Sequence, residues 1–177
     1  MKDVIATALA DSQARELIVY LLSNVPGLPP IVQTFHIIGI GVVVGSVVMI
    51  NLRFLGVAVP SQSISEMIER LMPWMWCALL VNALSGLVFV VARPLRYFYN
   101  SPLFPYKIAL LLPAVTLAFI VYQLNRRKSG YWETSTTRLT TGRIIAAISL
   151  VLWVGVIFAG RWLAYWEYIP FFYDFYE

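Results

Sequence analysis

The run from Pro30 to Gly56, PIVQTFHIIGIGVVVGSVVMINLRFLG, limits the fold more than any other part of the chain. Between Ile31 and Ile50 it contains no Asp, Glu, Lys or Arg. At about 1.5 Å per helical residue, that length crosses a hydrocarbon core of about 30 Å. The run reads as a transmembrane helix. Composition extends the reading to the whole chain: 60% of residues are hydrophobic and only 12% are charged, where soluble domains carry about 25% charged residues. Long apolar runs joined by short connections leave no room for a separate aqueous domain, so residues 1–177 form a single membrane domain. A net charge of +4 does not point to nucleic acid, because the cations flank apolar segments, where they suit cytoplasmic loops and lipid head groups. The single cysteine, Cys77, lies inside an apolar run and excludes an intramolecular disulfide.

In chain order, residues 1–24 lack the clean apolar centre of a signal peptide and are expected as an interfacial helix. Pro26, Gly27, Pro29 and Pro30 then break the chain, and Pro suits the first turn of the helix that follows. Four spans are expected, over about 31–53, 72–92, 103–124 and 141–163. Ser63 and Glu66 have capping-box spacing, so the second helix is expected to begin before the membrane. The Pro-rich, aromatic segment from Arg93 to Pro105 fits an interface, and residues 164–177 form an aromatic, acidic tail of the same kind. The fold class is an all-α, polytopic four-helix membrane bundle with an N-terminal interfacial helix.

Arg126, Arg127, Lys128, Arg138 and Arg143 cluster at the connection between the third and fourth spans. The positive-inside rule places that connection in the cytoplasm and both termini on the periplasmic side of an inner membrane. Arg93, Arg96 and Lys107 on the other side oppose the rule. At 100° per residue, Asn82, Gly86 and Arg93 fall within about 40° of one direction on the second span, with Ser85 nearby, and this polar stripe should face protein. On the first span Gly41 and Gly45 form a small-residue groove roughly opposite His36, and Gly155 and Ala159 form another on the fourth.

His36, Arg93, Arg96, Lys107 and Arg161 all map to the outer half of their spans, which hold no carboxylate. Ionisable groups in lipid cost several kcal/mol unless paired or hydrated. The available partners are Glu167, Asp11, Glu16 or an anionic ligand. Snorkelling to head groups is the plain alternative for the cations, and hydrogen-bonded packing is the plain alternative for His36. The candidate cofactor-binding set is His36, Gly39, Arg93, Lys107 and Arg161, with His36 a metal ligand only if haem is bound.

The strings HIIGIGVVVGSVVMINLRFLG, YNSPLFPYKIALLLPA and SLVLWVGVIFAGRWLAYW resemble recurring segments of an uncharacterised family of small bacterial four-span inner-membrane proteins. The likeness covers most of the chain beyond Pro30. It rests on His36, on Leu52 and Arg53, on Phe104 and Lys107, and on Gly160, Arg161 and Trp162. Asn51 stands where the family commonly has Asp, and Ser101 replaces the Asn before Pro102. The resemblance implies a topology and no established activity.

Three functional classes follow. An accessory subunit of a larger or homo-oligomeric membrane complex needs only the two-sided first helix, the small-residue grooves and the aromatic belt, with a pocket for a cofactor or lipid in the outer leaflet. A redox subunit would use His36 as an axial ligand to haem b or as a donor to a quinone carbonyl, with Gly39 admitting a planar group and Arg93, Lys107 or Arg161 holding charged substituents. The chain has one His, so a bis-His haem needs its second ligand from elsewhere. A transporter or channel would have to build its path from Asn82, Ser85, Ser46 and Thr116. Hydrolytic catalysis lacks its parts: there is no Gly-x-Ser-x-Gly elbow, zinc-binding His pair or intramembrane carboxylate dyad.

Overall fold

A computed structural model describes residues 2–98, 101, 103–128, 130–163 and 165, with side chains from Val4 onward. The tail residues other than Tyr165, including Glu167, lie outside this set, as does Pro102 of the third-span motif. All regular structure among the described residues is helical. Where one N-terminal helix is expected there are two, α1 (Lys2–Ala10) and α2 (Gln13–Asn24). Ser12 separates them: its hydroxyl donates to the Leu9 carbonyl at 2.7 Å and accepts from Arg15 N–H at 3.2 Å, ending one helix and capping the next.

Four long helices follow, α3 (Leu28–Phe54), α4 (Ile64–Ala92), α6 (Leu103–Arg127) and α7 (Thr136–Trp162), each long and apolar enough to cross a membrane. A short α5 (Pro94–Phe98) lies between α4 and α6, and a single 3-10 turn (Tyr131–Glu133) between α6 and α7. Gly27 starts α3 from a left-handed backbone, φ 80°, which a residue with a Cβ rarely adopts, and the prolines that follow occupy the first turn. Ser63 starts α4 by accepting from Glu66 N–H at 3.1 Å. Helix α3 packs on α4 and on α7, α6 packs on α7, and α1 and α2 lie against α5 and α4 respectively.

In lipid, helix association draws on close packing and interhelical hydrogen bonds rather than on apolar burial. Both are concentrated at the end that carries Arg126, Arg127 and Lys128, here the basic end. The core is built from Val43 to Phe54 of α3, Ile64 to Ala78 of α4, Ala114 to Val121 of α6 and Ala146 to Trp153 of α7. Trp132 closes it from the loop at 1% exposure, edge-on to Phe54 with ring centroids 5.3 Å apart and over Gly142, which has no Cβ to obstruct it. Several buried polar groups pair across helices, while the indole N–H groups of Trp76, Trp132 and Trp153 are buried without a partner among the described residues. Asn51 donates to Ser149 at 3.0 Å beside a cavity of about 10 Å³. Ser65 donates to Asn125 Oδ1 at 2.7 Å and accepts from Gly130 N–H at 3.0 Å. Glu133 caps α4 by accepting from Ile64 N–H at 2.9 Å, and Arg143 Nε donates to the Phe54 carbonyl at the end of α3 at 3.2 Å.

The opposite end, which contains His36, is built differently. In residues 28–42 of α3 the one buried residue is Gly39, and in residues 79–92 of α4 only Ser85 and Val91 are buried. The ring and hydrogen-bond contacts between α4 and α6 lie toward the basic end, at Ser65 with Asn125 and at Trp76 with Phe119 and Tyr122. The closest helix pairings are α3 with α4 and α6 with α7.

Candidate functional site

The α3–α4 pair is joined at His36. Its Nδ1 lies 2.8 Å from Ser85 Oγ, and Ser85 Oγ lies 2.6 Å from the carbonyl of Val81 on its own helix. A carbonyl only accepts, so the single hydroxyl hydrogen of Ser85 goes to Val81. Ser85 Oγ must then accept from His36, which places a hydrogen on Nδ1. With Nδ1–H given to Ser85, a neutral imidazole has Nε2 as an acceptor. Nε2 has no hydrogen-bond partner among the described residues, yet it is not among the sealed unpartnered atoms. Phe89 stands edge-on to the ring, centroids 5.8 Å apart, and a Cβ at Gly86 would meet His36 Cε1 at 3.5 Å.

One turn further along α3, the Asn82 amide lies on Gly39, where a Cβ would stand 2.6 Å from Asn82 Oδ1. The space beside Gly39 is therefore taken by a side chain of the neighbouring helix. Asn82 Oδ1 is buried without a partner, and such an orphaned acceptor costs about 1–3 kcal/mol.

In the α6–α7 pair, Leu110 packs against Gly155, and Lys107 lies across Gly160, its Nζ 3.5 Å from where a Cβ would be. Lys107 is half-buried. Among the described residues it has no hydrogen bond or carboxylate partner.

Of the residues singled out from the sequence, His36 packs against Ser85, Gly86 and Phe89 of α4, Gly39 against Asn82 of α4, and Lys107 against Gly160 of α7. Arg93 and Arg161 make other contacts. Arg93 is exposed at the end of α4, close enough to Tyr97 that it and Arg96 oppose the effect of burial, which holds the Tyr97 hydroxyl above its usual range. Arg161 is exposed, donates to Tyr165 at 3.0 Å and lies over that ring at 4.8 Å, the posture of a side chain reaching along the helix toward an interface. Gly41 and Gly45 meet nothing within 4 Å. Thr116, a candidate lining for a solute path, is exposed and bonded to the Leu112 carbonyl of its own helix at 2.8 Å.

Ser85 as the partner of His36 was only half visible in the sequence: the polar stripe on the second span contains it, but nothing local says which helix the stripe faces. No sequence signal pointed to Trp132 or Glu133, because both lie in a connection and act through residues far away in the chain.

Four membrane-length helices with polar groups meeting between them define a multi-pass helical membrane protein. By sequence comparison the chain belongs to DUF6644, a family of unknown function whose model matches residues 18–166. No curated protein and no solved structure matches it.

Proposed function

We propose that the chain is an accessory subunit of a membrane assembly that holds a small ligand between its two helix pairs at the His36 end. One observation carries this reading: the buried core stops partway along the bundle, and the half beyond it contains His36 and Lys107, with no partner for His36 Nε2 or Lys107 Nζ among the described residues, and the orphaned Asn82 oxygen. An unsatisfied polar group in that looser half costs stability that packing there does not return.

The basic cluster at Arg126 to Lys128 supports an orientation with the basic end in the cytoplasm, both termini in the periplasm of a bacterial inner membrane and His36 in the outer leaflet. The open groove at Gly41 and Gly45 lies on a different part of α3 and supplies a contact surface for a second copy or another membrane subunit.

Native mass spectrometry of protein extracted in mild detergent tests both parts at once. The reading expects an oligomer or hetero-complex carrying a bound small molecule that His36→Phe loses. A bare monomer from wild-type membranes would overturn it.

A further inference from the structure

A groove on α6 near the basic end lies apart from His36 and serves none of the contacts described so far. We propose that it binds one anionic phospholipid of the surrounding leaflet, with the phosphate at Arg127 and an acyl chain along Phe119 and Ile120.

The groove has a volume of about 380 Å³ and is lined by Phe119, Ile120, Gln123, Leu124 and Arg127. That size falls within the range of about 300–1,000 Å³ for small-ligand clefts. All five residues belong to one helix, and their polarity changes in one direction along it. At about 1.5 Å per residue, Gln123 stands about 6 Å deeper in the membrane than Arg127, and Phe119 about 12 Å deeper. Apolar side chain, amide and guanidinium thus follow the order of acyl chain, ester carbonyl and phosphate in a phospholipid. The Gln123 amide can donate to an ester carbonyl, and the Arg127 fork matches a phosphate through paired N–H donors.

Both polar groups are available. Among the described residues neither the Gln123 amide nor the Arg127 guanidinium has a hydrogen bond or a carboxylate partner. Phe119 and Ile120 are exposed, and Trp76 meets Phe119 edge-on with ring centroids 6.2 Å apart, which fixes the deep wall. The head group is selected by charge: Arg126 and Lys128 are also exposed on either side of Arg127, so a choline or ethanolamine cation is repelled there and a net negative head group is favoured. Arg126 lies over Tyr122 at 5.7 Å and does not line the groove. A second protein helix fits this face less well, because helix contacts in lipid are made through small residues, and the lining here is bulky.

Full-length protein stripped of lipid in mild detergent, then given equal amounts of dioleoyl phosphatidylglycerol and dioleoyl phosphatidylcholine, tests the site by native mass spectrometry. The one-lipid adduct should favour phosphatidylglycerol by about fivefold or more, the effect of one cation at a membrane surface. Arg127→Gln should remove about fivefold of that preference, Arg127→Lys should retain part of it, and Arg126→Gln should change it less than Arg127→Gln does. In nanodiscs, phosphatidylglycerol carrying a diazirine on its acyl chain should label residues 119–124 of the wild type, a reading that needs no variant to fold. Equal adducts of the two lipids overturn the proposal. Equal losses from Arg126→Gln and Arg127→Gln also overturn it, since they mark a diffuse surface charge. Absence of label from residues 119–124 overturns it as well, and if the native mass then shows a second subunit, this face is a protein interface.

Discussion

Asn82 and Gly39 interlock: the amide of one occupies the volume that a Cβ on the other would need, with Oδ1 2.6 Å from that point. The contact fixes the spacing of α3 and α4 one turn from His36. Gly39→Ala forces an overpacked junction and should cost about 1–3 kcal/mol. Asn82→Ala removes the obstruction together with an unsatisfied oxygen, so the double variant should regain much of that loss. Unfolding from mixed micelles across the four proteins measures the coupling. Simple additivity would show that the two residues do not touch.

Trp132 bears the opposite kind of sensitivity. It fills the end of the core against Phe54 and Gly142, and Trp132→Ala should cost about 3–5 kcal/mol by opening a cavity. Gly142→Ala would set a Cβ 2.5 Å from Phe54 Cε1 and should destabilise through crowding of the same spot. Thermal melting in detergent would register both, and a loss below about 1 kcal/mol for Trp132→Ala would contradict the packing described.

Lys107 and Arg161 should separate on substitution, although the sequence places them at similar depth. Lys107→Met removes a half-buried cation that has no partner among the described residues and should leave the ligand-free bundle at least as stable. Ligand retention should fall. Arg161→Lys should change neither property appreciably, since Arg161 is exposed and turned to Tyr165. Ligand mass per protein and melting temperature together decide the matter, and loss of ligand on Arg161→Lys would place that guanidinium in the site after all.

Gly45→Leu tests assembly without disturbing the fold. Nothing within 4 Å meets a Cβ at Gly45, so the single chain should retain its stability and its His36 chemistry while the complex dissociates. Unchanged stoichiometry in native mass spectra would move the subunit interface elsewhere.

Topology has its own check. With Cys77 replaced by Ser, a cysteine introduced at Ser135, exposed in the basic connection, should resist a membrane-impermeant thiol reagent in intact spheroplasts. Labelling there would invert the orientation and move His36 to the cytoplasmic leaflet.

The spans were legible in the sequence because length and hydropathy are local properties, and so was the start of α4, where Ser63 and Glu66 meet as their spacing requires. The stripe of Asn82, Ser85 and Gly86 was legible for the same reason: helical phase needs no knowledge of neighbours. Its counterpart was not. That Ser85 meets His36, 49 positions away, depends on which helices pair, and depth in the membrane cannot supply lateral direction. Arg161 shows the limit, level with His36 by counting yet joined to Tyr165 by contact. The N-terminal segment shows another, since residues 1–24 read as one interfacial helix, with no sign that Ser12 would divide it or that Ala6 would be buried at 1% exposure.

A core gathered at one end gives the bundle uneven rigidity. Hydrogen exchange should be slowest around Ile68, Met75 and Ala114, which are sealed, and faster through residues 28–42. On the proposed ligand-binding reading, such uneven rigidity would let the helices part on the His36 side while the end closed by Trp132 holds. A lipid-soluble molecule could then enter sideways from the acyl chains without opening a passage for water or protons across the membrane. Its residence time would be set by how readily the pairs spread.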